Sequence, residues 1–158
     1  YTMIVFQISD VLEETVLSFQ ALAHSWNRNI MTEIAPMLSF HGDEGSVRQL
    51  VGILLDNAIK YIREQADGGC EDILLKLGKK GRSLCLSVSN SSEPVSEEQL
   101  KRFFERFYRT EQSRDSETGG YGLGLYIARS IVEAHRVKIT ASAPAAGTVR
   151  ITVVLPMK

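Results

Sequence analysis

The chain has 158 residues, 44% of them hydrophobic and 23% charged, which is typical of one folded soluble domain. Its formal net charge is −1, and without an overall basic field we expect no nucleic-acid partner. Its two cysteines are too few for a disulfide scaffold or a zinc site and predict reduced thiols in a cytosolic setting. No apolar run approaches the ~20 residues of a membrane span.

The first third of the chain predicts one long helix among short strands. Ser9 or Asp10 is expected to cap the helix, after which apolar residues recur at helical spacing: Val11, Leu12, Val16, Phe19, Leu22, Ala23 and Trp26. The sequence Asn27-Arg28-Asn29 breaks the helical pattern. Three extended runs predict strands, the second of them stopped by Pro36: residues 2–7, 30–35 and 38–41.

A second long helix is expected at the centre of the chain, with Asp43 as its N-cap. Its core side is a set of apolar residues at helical spacing: Val47, Leu50, Val51, Leu54, Leu55, Ala58 and Ile62. A neighbouring stripe of the same helix carries Ile53, Asn57, Lys60 and Tyr61 at positions i, i+4, i+7 and i+8. Polar side chains therefore lie beside an apolar helix face.

The second half of the chain predicts two pairs of strands separated by helices. A hairpin is expected over residues 73–77 and 84–88, across a turn at Lys79-Lys80-Gly81. The elements expected after it are a short helix over 97–107, a polar mobile segment over 108–120, a helix over 122–136, and strands over 138–143 and 148–156. Three longer helices and about five strands predict an α/β two-layer sandwich, in which a mixed sheet is covered on one face by three helices.

The stretch Gly119-Gly120-Tyr121-Gly122-Leu123-Gly124-Leu125 opens the last of these helices. Glycines let a backbone approach a ligand closely, and a helix start directs N–H groups and the positive end of its dipole at one spot, which suits a phosphate. A purely structural glycine-rich turn is the alternative and is the more common case for such a run alone. The run is not a P-loop, because no Lys-Ser or Lys-Thr follows the last glycine.

Asn57 and Lys60 also suit a nucleotide. An amide oxygen is a hard ligand for Mg²⁺, which takes few protein ligands and completes its octahedron with phosphates and waters, and Lys60 is a point charge for phosphate. A solvated polar stripe is the alternative for both residues. Arg106 and Arg109 flank the start of the polar segment, where they are either surface charges or able to reach a terminal phosphate. The three histidines are expected to be structural: His24, His41 and His135.

Three ordered stretches resemble the motifs of sensor histidine kinases. Leu54-Leu55-Asp56-Asn57-Ala58-Ile59-Lys60-Tyr61 is similar to the N box, Phe104-Glu105-Arg106-Phe107-Tyr108-Arg109 to the F box, and Gly120-Tyr121-Gly122-Leu123-Gly124-Leu125 to the G2 box. The resemblance covers nearly the whole chain and implies the Bergerat ATP-binding fold, shared with gyrase, MutL and Hsp90-type proteins. It implies one ATP-binding catalytic domain over residues 1–158, without the phosphoacceptor and sensor domains.

The same resemblance implies the site residues. Mg-ATP would bind between the central helix and a lid over 108–120, with Asn57 ligating Mg²⁺, Lys60 contacting phosphate and Tyr61 lining the nucleotide site. Arg109 would begin the lid, and the catalytic set would be Asn57, Lys60 and Arg109. Further nucleotide contacts are implied at the G1 and G2 motifs: Asn90, Ser92, Gly120, Gly122, Leu123, Gly124 and Leu125.

Three positions depart from the family pattern. Asn90-Ser91-Ser92-Glu93-Pro94 stands in place of an Asp-x-Gly-x-Gly motif, so the carboxylate that would read adenine is an amide. Because an amide offers both donor and acceptor and can turn either way, we expect weaker ATP binding and less discrimination against GTP. Ile53 stands where the N box often has a first asparagine, and Arg136-Val137 replaces a Gly-Gly pair at an αL cap.

The leading hypothesis is a phosphotransferase that passes the γ-phosphoryl group of ATP to a histidine on a separate dimerisation domain of a parent sensor kinase, with a response regulator downstream. The rival is an ATP-driven hydrolase of the gyrase or MutL kind, whose general base would fall at Ile53, a residue that cannot activate water. A nucleotide-binding module without catalysis is the third hypothesis. We expect a monomeric cytoplasmic piece of a longer, membrane-anchored protein, and a poor ATPase.

Overall fold

A computed structural model of the chain describes residues 1–106, 108 and 123–157. Within these ranges the helices are α1 (Ile8–Ser25), α2 (Glu44–Tyr61), α3 (Glu97–Arg102) and α4 (Gly124–Ala134). The strands are β1 (Met3–Gln7), β2 (Ile30–Ile34), β3 (Ser39–Asp43), β4 (Ile73–Lys80), β5 (Ser83–Ser91), β6 (Lys138–Ser142) and β7 (Thr148–Pro156). The three long helices and the hairpin of β4 and β5 lie where the sequence predicts them.

Five strands form a mixed sheet in the order β2-β4-β5-β7-β6, with β2 and β4 parallel and the other neighbours antiparallel. Alternate residues of the central strands, such as Leu75, Leu86 and Val153, are fully buried, whereas Lys76 and Val154 on the opposite side are exposed. The long helices pack on the buried face, and α2 contacts both α1 and α4. The predicted two-layer α/β sandwich is therefore confirmed.

The strands β1 and β3 form a separate antiparallel ribbon, from Met3 opposite Asp43 to Gln7 opposite Ser39. Phe6 and Phe40 face each other across this ribbon, buried, with ring centroids 6.1 Å apart in an edge-to-face arrangement. The extended runs at residues 2–7 and 38–41 predict both strands, although β3 continues two residues further, to Asp43. The ribbon leads directly into α1 at one end and into α2 at the other.

The central helix α2 begins as predicted, with Asp43 as N-cap. The Asp43 carboxylate accepts hydrogen bonds from the backbone N–H of Ser46 and of Thr2, each at 2.9 Å. The Asp43 N–H donates to Nε2 of His135 at the end of α4 (3.0 Å), and the Nδ1 of that ring lies 2.9 Å from the carbonyl of Ile131. His135 thus joins the end of α4 to the start of α2.

We expect the Asp43 cap to make the stability of the protein depend on pH in acid. Hydrogen bonds from the Ser46 hydroxyl, the Thr2 N–H and the Ser46 N–H lower the pKa of Asp43 from 3.8 to about 2. A carboxyl whose pKa is lower in the folded state contributes stability above its unfolded pKa and loses it as the pH falls. Urea unfolding should therefore show a loss between about pH 4 and pH 2 that is smaller in Asp43→Asn. An equal loss in both proteins would assign the acid sensitivity to other carboxyls.

The predicted cap of α1 is wrong. The helix begins at Ile8, and its N-cap position, Gln7, makes no side-chain capping hydrogen bond. Ser9 lies inside the first turn, where its buried hydroxyl donates to the carbonyl of Ala35 (2.7 Å) and accepts from the N–H of Leu38 (2.9 Å). Ser9 thus fastens the loop between β2 and β3 instead of capping α1.

The helix predicted over residues 97–107 is shorter in the structure, where α3 ends at Arg102. Its start is a capping box: the Ser96 hydroxyl accepts from the N–H of Gln99, and the Gln99 side chain accepts from the N–H of Ser96. Beyond Arg102 the chain continues in turns, since the N–H of Glu105 donates to Arg102 and the N–H of Tyr108 donates to Glu105. Each turn spans three residues rather than four, which ends the α-helix.

Replacing Arg136 by glycine is expected to stabilise the protein by about 0.5–1 kcal/mol, because the left-handed backbone costs an L-residue roughly 1–2 kcal/mol and glycine regains part of it. Arg136 follows α4 with φ 58° and is exposed, so the side chain has little packing to lose. The midpoint of urea unfolding at an unchanged m-value measures the gain. Arg136→Ala keeps the Cβ atom and should give none; equal stabilisation by alanine would attribute the effect to the lost side chain.

Candidate functional site

The polar stripe of α2 lies at the border of the core. Ile53, Asn57, Lys60 and Tyr61 are each half-buried, whereas the predicted core residues of the same helix are buried. The stripe therefore offers an amide and an ammonium group at a surface that is partly shielded from water. Such shielding strengthens electrostatic contacts with a ligand.

The start of α4 lies over this stripe. A Cβ atom built on Gly124 would lie 3.6 Å from Cγ2 of Ile53. Leu123 occupies the N-cap position of α4 and offers no side-chain hydrogen bond to the first turn. The N–H groups of that turn and the positive end of the helix dipole therefore suit an anion. The structure thus brings the last residues of the glycine-rich motif next to the central helix.

Lys60 forms an ion pair on its own helix. Its Nζ lies 3.1 Å from Oδ2 of Asp56, one turn earlier, with side-chain exposures of 30% and 39%. Pairs of this spacing and exposure contribute only about 0.3–0.5 kcal/mol. A multiply charged phosphate can therefore displace Asp56 at little cost, and Lys60 remains available to a ligand.

Asn90 lies near the end of β5 and faces the helices. It alternates with the buried residues Leu86 and Val88, while Ser89 on the opposite face of the sheet accepts a hydrogen bond from Nε of Arg150 (3.2 Å). The Asn90 side chain is itself 8% exposed. Its Nδ2 donates to the carbonyl of Ser91 (2.8 Å). This contact leaves Oδ1 as the acceptor that the amide can offer to a ligand.

The end of α2 meets the end of β5 at the Ser91 carbonyl. Besides the Asn90 amide, this carbonyl accepts the backbone N–H of Arg63 at 3.0 Å. The neighbouring Ser92 is also fixed, because its N–H donates to the carbonyl of Gly147 (2.8 Å) and its hydroxyl to the carbonyl of Glu93 (2.8 Å). The residues in place of the glycine motif are therefore held by hydrogen bonds. The carboxylate of Glu93 lies 3.4 Å from Nε of Arg63.

Part of the predicted site lies outside the described residues, namely Arg109, Gly120, Gly122 and residues 109–122 of the predicted lid. Leu123 and Leu125 are half-buried, and Leu125 packs on the core. At the start of the lid segment, the guanidinium of Arg102 lies over the ring of Tyr108, 4.6 Å from its centroid. This contact holds Tyr108 against the end of α3.

Two other kinds of chemistry find little support in the described ranges. No three His, Cys, Asp or Glu side chains there are grouped so as to hold a metal ion. Burial raises the pKa of the Cys70 thiol, which disfavours the nucleophilic thiolate.

None of the helices described is long and apolar enough to span a membrane.

One residue of this region, Arg28, is not predicted by any pattern in the sequence. Arg28, which appeared only as part of a helix-breaking tripeptide, is 5% exposed and donates to the carbonyl of Ile59 in the last turn of α2 (3.0 Å). An arginine between two asparagines carries no signal of burial, because its hydrogen-bond partner lies 31 residues further along the chain.

Known proteins resemble this chain over most of its length. The model of the family described as histidine kinase-, DNA gyrase B-, and HSP90-like ATPase matches residues 42–158. The signal transduction histidine-protein kinase BaeS of Escherichia coli is 40% identical over 121 residues, which are 77% of this chain and 25% of BaeS. The sensor histidine kinase YkoH of Bacillus subtilis is 34% identical over 141 residues, 88% of this chain and 30% of YkoH. The chain thus spans about a quarter to a third of the length of these relatives.

A solved structure resembles the fold. The nucleotide-free catalytic domain of the histidine kinase ThkA superposes with a TM-score of 0.81 at 23% identity, covering 99% of this chain and 98% of that domain. The match includes both the mixed sheet and the helices packed on it. The fold expected from the three motifs is therefore confirmed.

Proposed function

Because the chain belongs to the histidine kinase-, DNA gyrase B-, and HSP90-like ATPase family, we propose that it binds Mg-ATP and donates the γ-phosphoryl group to a histidine on the dimerisation domain of a parent sensor kinase. The observation that carries this proposal is the placement of Gly124, at the start of α4, against Ile53 of the α2 stripe, on which Asn57 and Lys60 also lie. A helix start and a lysine on one side of a small domain suit a chain of phosphates.

The residues present fit a magnesium ion. Asn57 is half-buried one helical turn after Ile53, and its amide oxygen is a ligand type that Mg²⁺ accepts. Within the described ranges no acidic cluster competes for a metal ion, so the ion would rely on Asn57, phosphate oxygens and water. When bound, Mg²⁺ would neutralise phosphate charge during transfer.

The remaining residues would bind and orient the nucleotide. Lys60 would leave Asp56 for a phosphate, Tyr61 would line the site, and the first turn of α4 at Leu123–Leu125 would face the phosphates. Asn90 would accept a hydrogen bond from the base through Oδ1, with Ser92 beside it. Arg109, Gly120 and Gly122 complete the proposed contacts at the lid. Phosphoryl transfer needs little more from the protein than such positioning and charge neutralisation.

The same geometry disfavours a self-sufficient ATPase. Water attack needs a general base, and a positioned base contributes about 10²–10⁴-fold. Ile53 occupies the position one turn before Asn57 and lies against Gly124, where it can neither accept a proton nor order a water. We propose that the parent protein instead supplies the phosphoryl-accepting histidine and a membrane anchor. A response regulator would act downstream of it.

Single-turnover transfer tests the proposal. The chain loaded with γ-labelled ATP would be mixed with the separately expressed histidine-bearing domain of the parent kinase, and label would be followed on that domain. We expect an acid-labile, alkali-stable phosphoryl group that is lost when the acceptor histidine is replaced by glutamine. Steady ATP hydrolysis without transfer would favour the hydrolase. Tight ATP binding with neither reaction would favour a non-catalytic binding module. The altered loop at Asn90–Pro94 is the reason for considering that alternative.

A further inference from the structure

We propose that Arg28 is a positioning residue that holds the base-reading amide of Asn90 in place through the end of α2. This inference rests on the proposed nucleotide site. Arg28 is the one charged residue that is buried within the described ranges. Burying a cation costs free energy unless its donors form hydrogen bonds. The partners of Arg28 therefore show what its burial achieves.

The guanidinium of Arg28 joins three segments. Its Nη1 donates to the carbonyl of Trp26 at the end of α1 (2.6 Å), its Nε to the carbonyl of Ile59 in α2 (3.0 Å), and its Nη2 to Oε1 of Glu64 (3.0 Å). The ends of helices carry partial negative charge, so one cation stabilises both α1 and α2 there. Arg28 thereby fixes the end of α2 against α1.

The contact with Ile59 compensates for a hydrogen bond that α2 gives up. In a continuing helix the N–H of Arg63 would donate to the carbonyl of Ile59. Instead, Ile62 is extended, with φ −61° and ψ 141°, and the N–H of Arg63 donates to the carbonyl of Ser91. Nε of Arg28 takes the vacated place at Ile59, which lets α2 end at this residue without a buried, unsatisfied carbonyl.

A hydrogen-bond relay therefore runs from Arg28 to Asn90. Arg28 satisfies Ile59, Arg63 is released to Ser91, and the same Ser91 carbonyl orients Nδ2 of Asn90 at 2.8 Å. Without the guanidinium, the Ile59 carbonyl competes with the Ser91 carbonyl for the Arg63 N–H, so the backbone hydrogen bond that joins α2 to the end of β5 opens more often. The base end of the site would then move relative to its phosphate end, which is held by Asn57 and the start of α4.

The relay predicts a selective loss of base recognition in Arg28→Met. Calorimetry with Mg-ATP and with magnesium tripolyphosphate separates the two ends of the site. We expect Arg28→Met to weaken ATP binding by about 3- to 10-fold and to leave the affinity for tripolyphosphate unchanged. Arg28→Lys, which keeps the charge and part of the donors, should fall between Arg28→Met and the wild type. Glu64→Gln keeps both carbonyl contacts and is the matched control, expected to bind both ligands normally.

A second pair of variants keeps the inference testable if Arg28→Met does not fold. Arg63→Pro removes the N–H that reaches Ser91, and the extended Ile62 before it suits a proline; Arg63→Ala removes the same side chain and keeps the N–H. Only the proline variant should weaken ATP selectively. Hydrogen exchange without ligand should show the Arg63 amide protected in the wild type and in Glu64→Gln, and faster in Arg28→Lys and Arg28→Met.

Two results would overturn this inference. In the first, the wild type binds ATP, and Arg28→Met or Arg63→Pro has the same ratio of ATP affinity to tripolyphosphate affinity as the wild type. The second is an Arg63 amide whose exchange is the same in all folded variants. A wild-type protein that binds no ATP would instead overturn the proposed function, on which the inference depends.

Discussion

Asn57→Ala is expected to abolish the magnesium dependence of ATP binding while leaving the fold intact. If the Asn57 amide ligates the ion, Mg-ATP should bind the variant no better than ATP in the presence of a chelator. Hydrogen bonds to charged groups contribute about 1.5–3 kcal/mol, and an amide–ion contact of that size corresponds to roughly 10- to 150-fold in affinity. Asn57 is half-buried on a helix, where alanine is a good helix former, so unfolding free energy should change by no more than about 0.5 kcal/mol.

Calorimetric titration of the wild type and the variant, with and without Mg²⁺, measures this effect. Gln49→Ala is the matched control, because it removes an exposed side-chain amide from the same helix, two turns before Asn57. Asn57→Asp keeps an oxygen ligand and should retain part of the magnesium dependence. An unchanged affinity of Asn57→Ala for Mg-ATP would exclude Asn57 as the metal ligand.

The parts of the fold that the sequence predicts are those whose signals are local. The periodicity of α2 and the Asp43 cap depend on residues within a few turns, and both agree with the structure. The predicted N-cap at Ser9 fails for the opposite reason. Serine is a common cap, but the Ser9 hydroxyl hydrogen-bonds Ala35 and Leu38, which are distant in sequence. The early end of α3 likewise follows from turns at Arg102–Tyr108 that helical spacing alone does not exclude.

The candidate site divides in the same way. Motif spacing predicts Asn57 and the start of α4, because each belongs to one helix with a regular pattern. Hydrogen bonds that orient the site are long-range, since two of the three partners of Arg28 lie 31 and 36 residues away from it. No local pattern encodes such a distance. The sequence also leaves open which way the Asn90 amide turns; in the folded chain its Nδ2 donates to the Ser91 carbonyl, which also accepts the N–H of the distant Arg63.

Asn90→Asp is expected to raise the preference for ATP over GTP by somewhat less than tenfold. The Ser91 carbonyl holds Nδ2 of Asn90, so the atom presented to a base is the acceptor Oδ1. Adenine carries an amino donor where guanine carries a carbonyl acceptor, and Oδ1 therefore already favours adenine. A carboxylate strengthens this preference, because hydrogen bonds to charged groups contribute about 1.5–3 kcal/mol and neutral ones about 0.5–1.5. The difference is on the order of 1 kcal/mol.

The same substitution should make the ligand-free protein less stable. It replaces the donor that faces the Ser91 carbonyl by a second acceptor, in a side chain that is 8% exposed. Two acceptors cannot form a hydrogen bond, and a buried mismatch of this kind costs about 1–3 kcal/mol. Base selectivity and stability are thus expected to change in opposite directions, which distinguishes a base-reading residue from one that only supports the loop.

Titration of ATP and GTP against the wild type, Asn90→Asp and Asn90→Ala measures the selectivity, and urea unfolding measures the stability. Asn90→Ala should bring the two affinities towards equality, because it removes the acceptor altogether. Ser89→Ala is the control, since the Ser89 hydroxyl bonds Arg150 on the opposite face of the sheet and should not affect the ratio. A ratio that neither rises in the aspartate variant nor falls in the alanine variant would show that Asn90 does not read the base, and adenine would then have to be recognised by other residues.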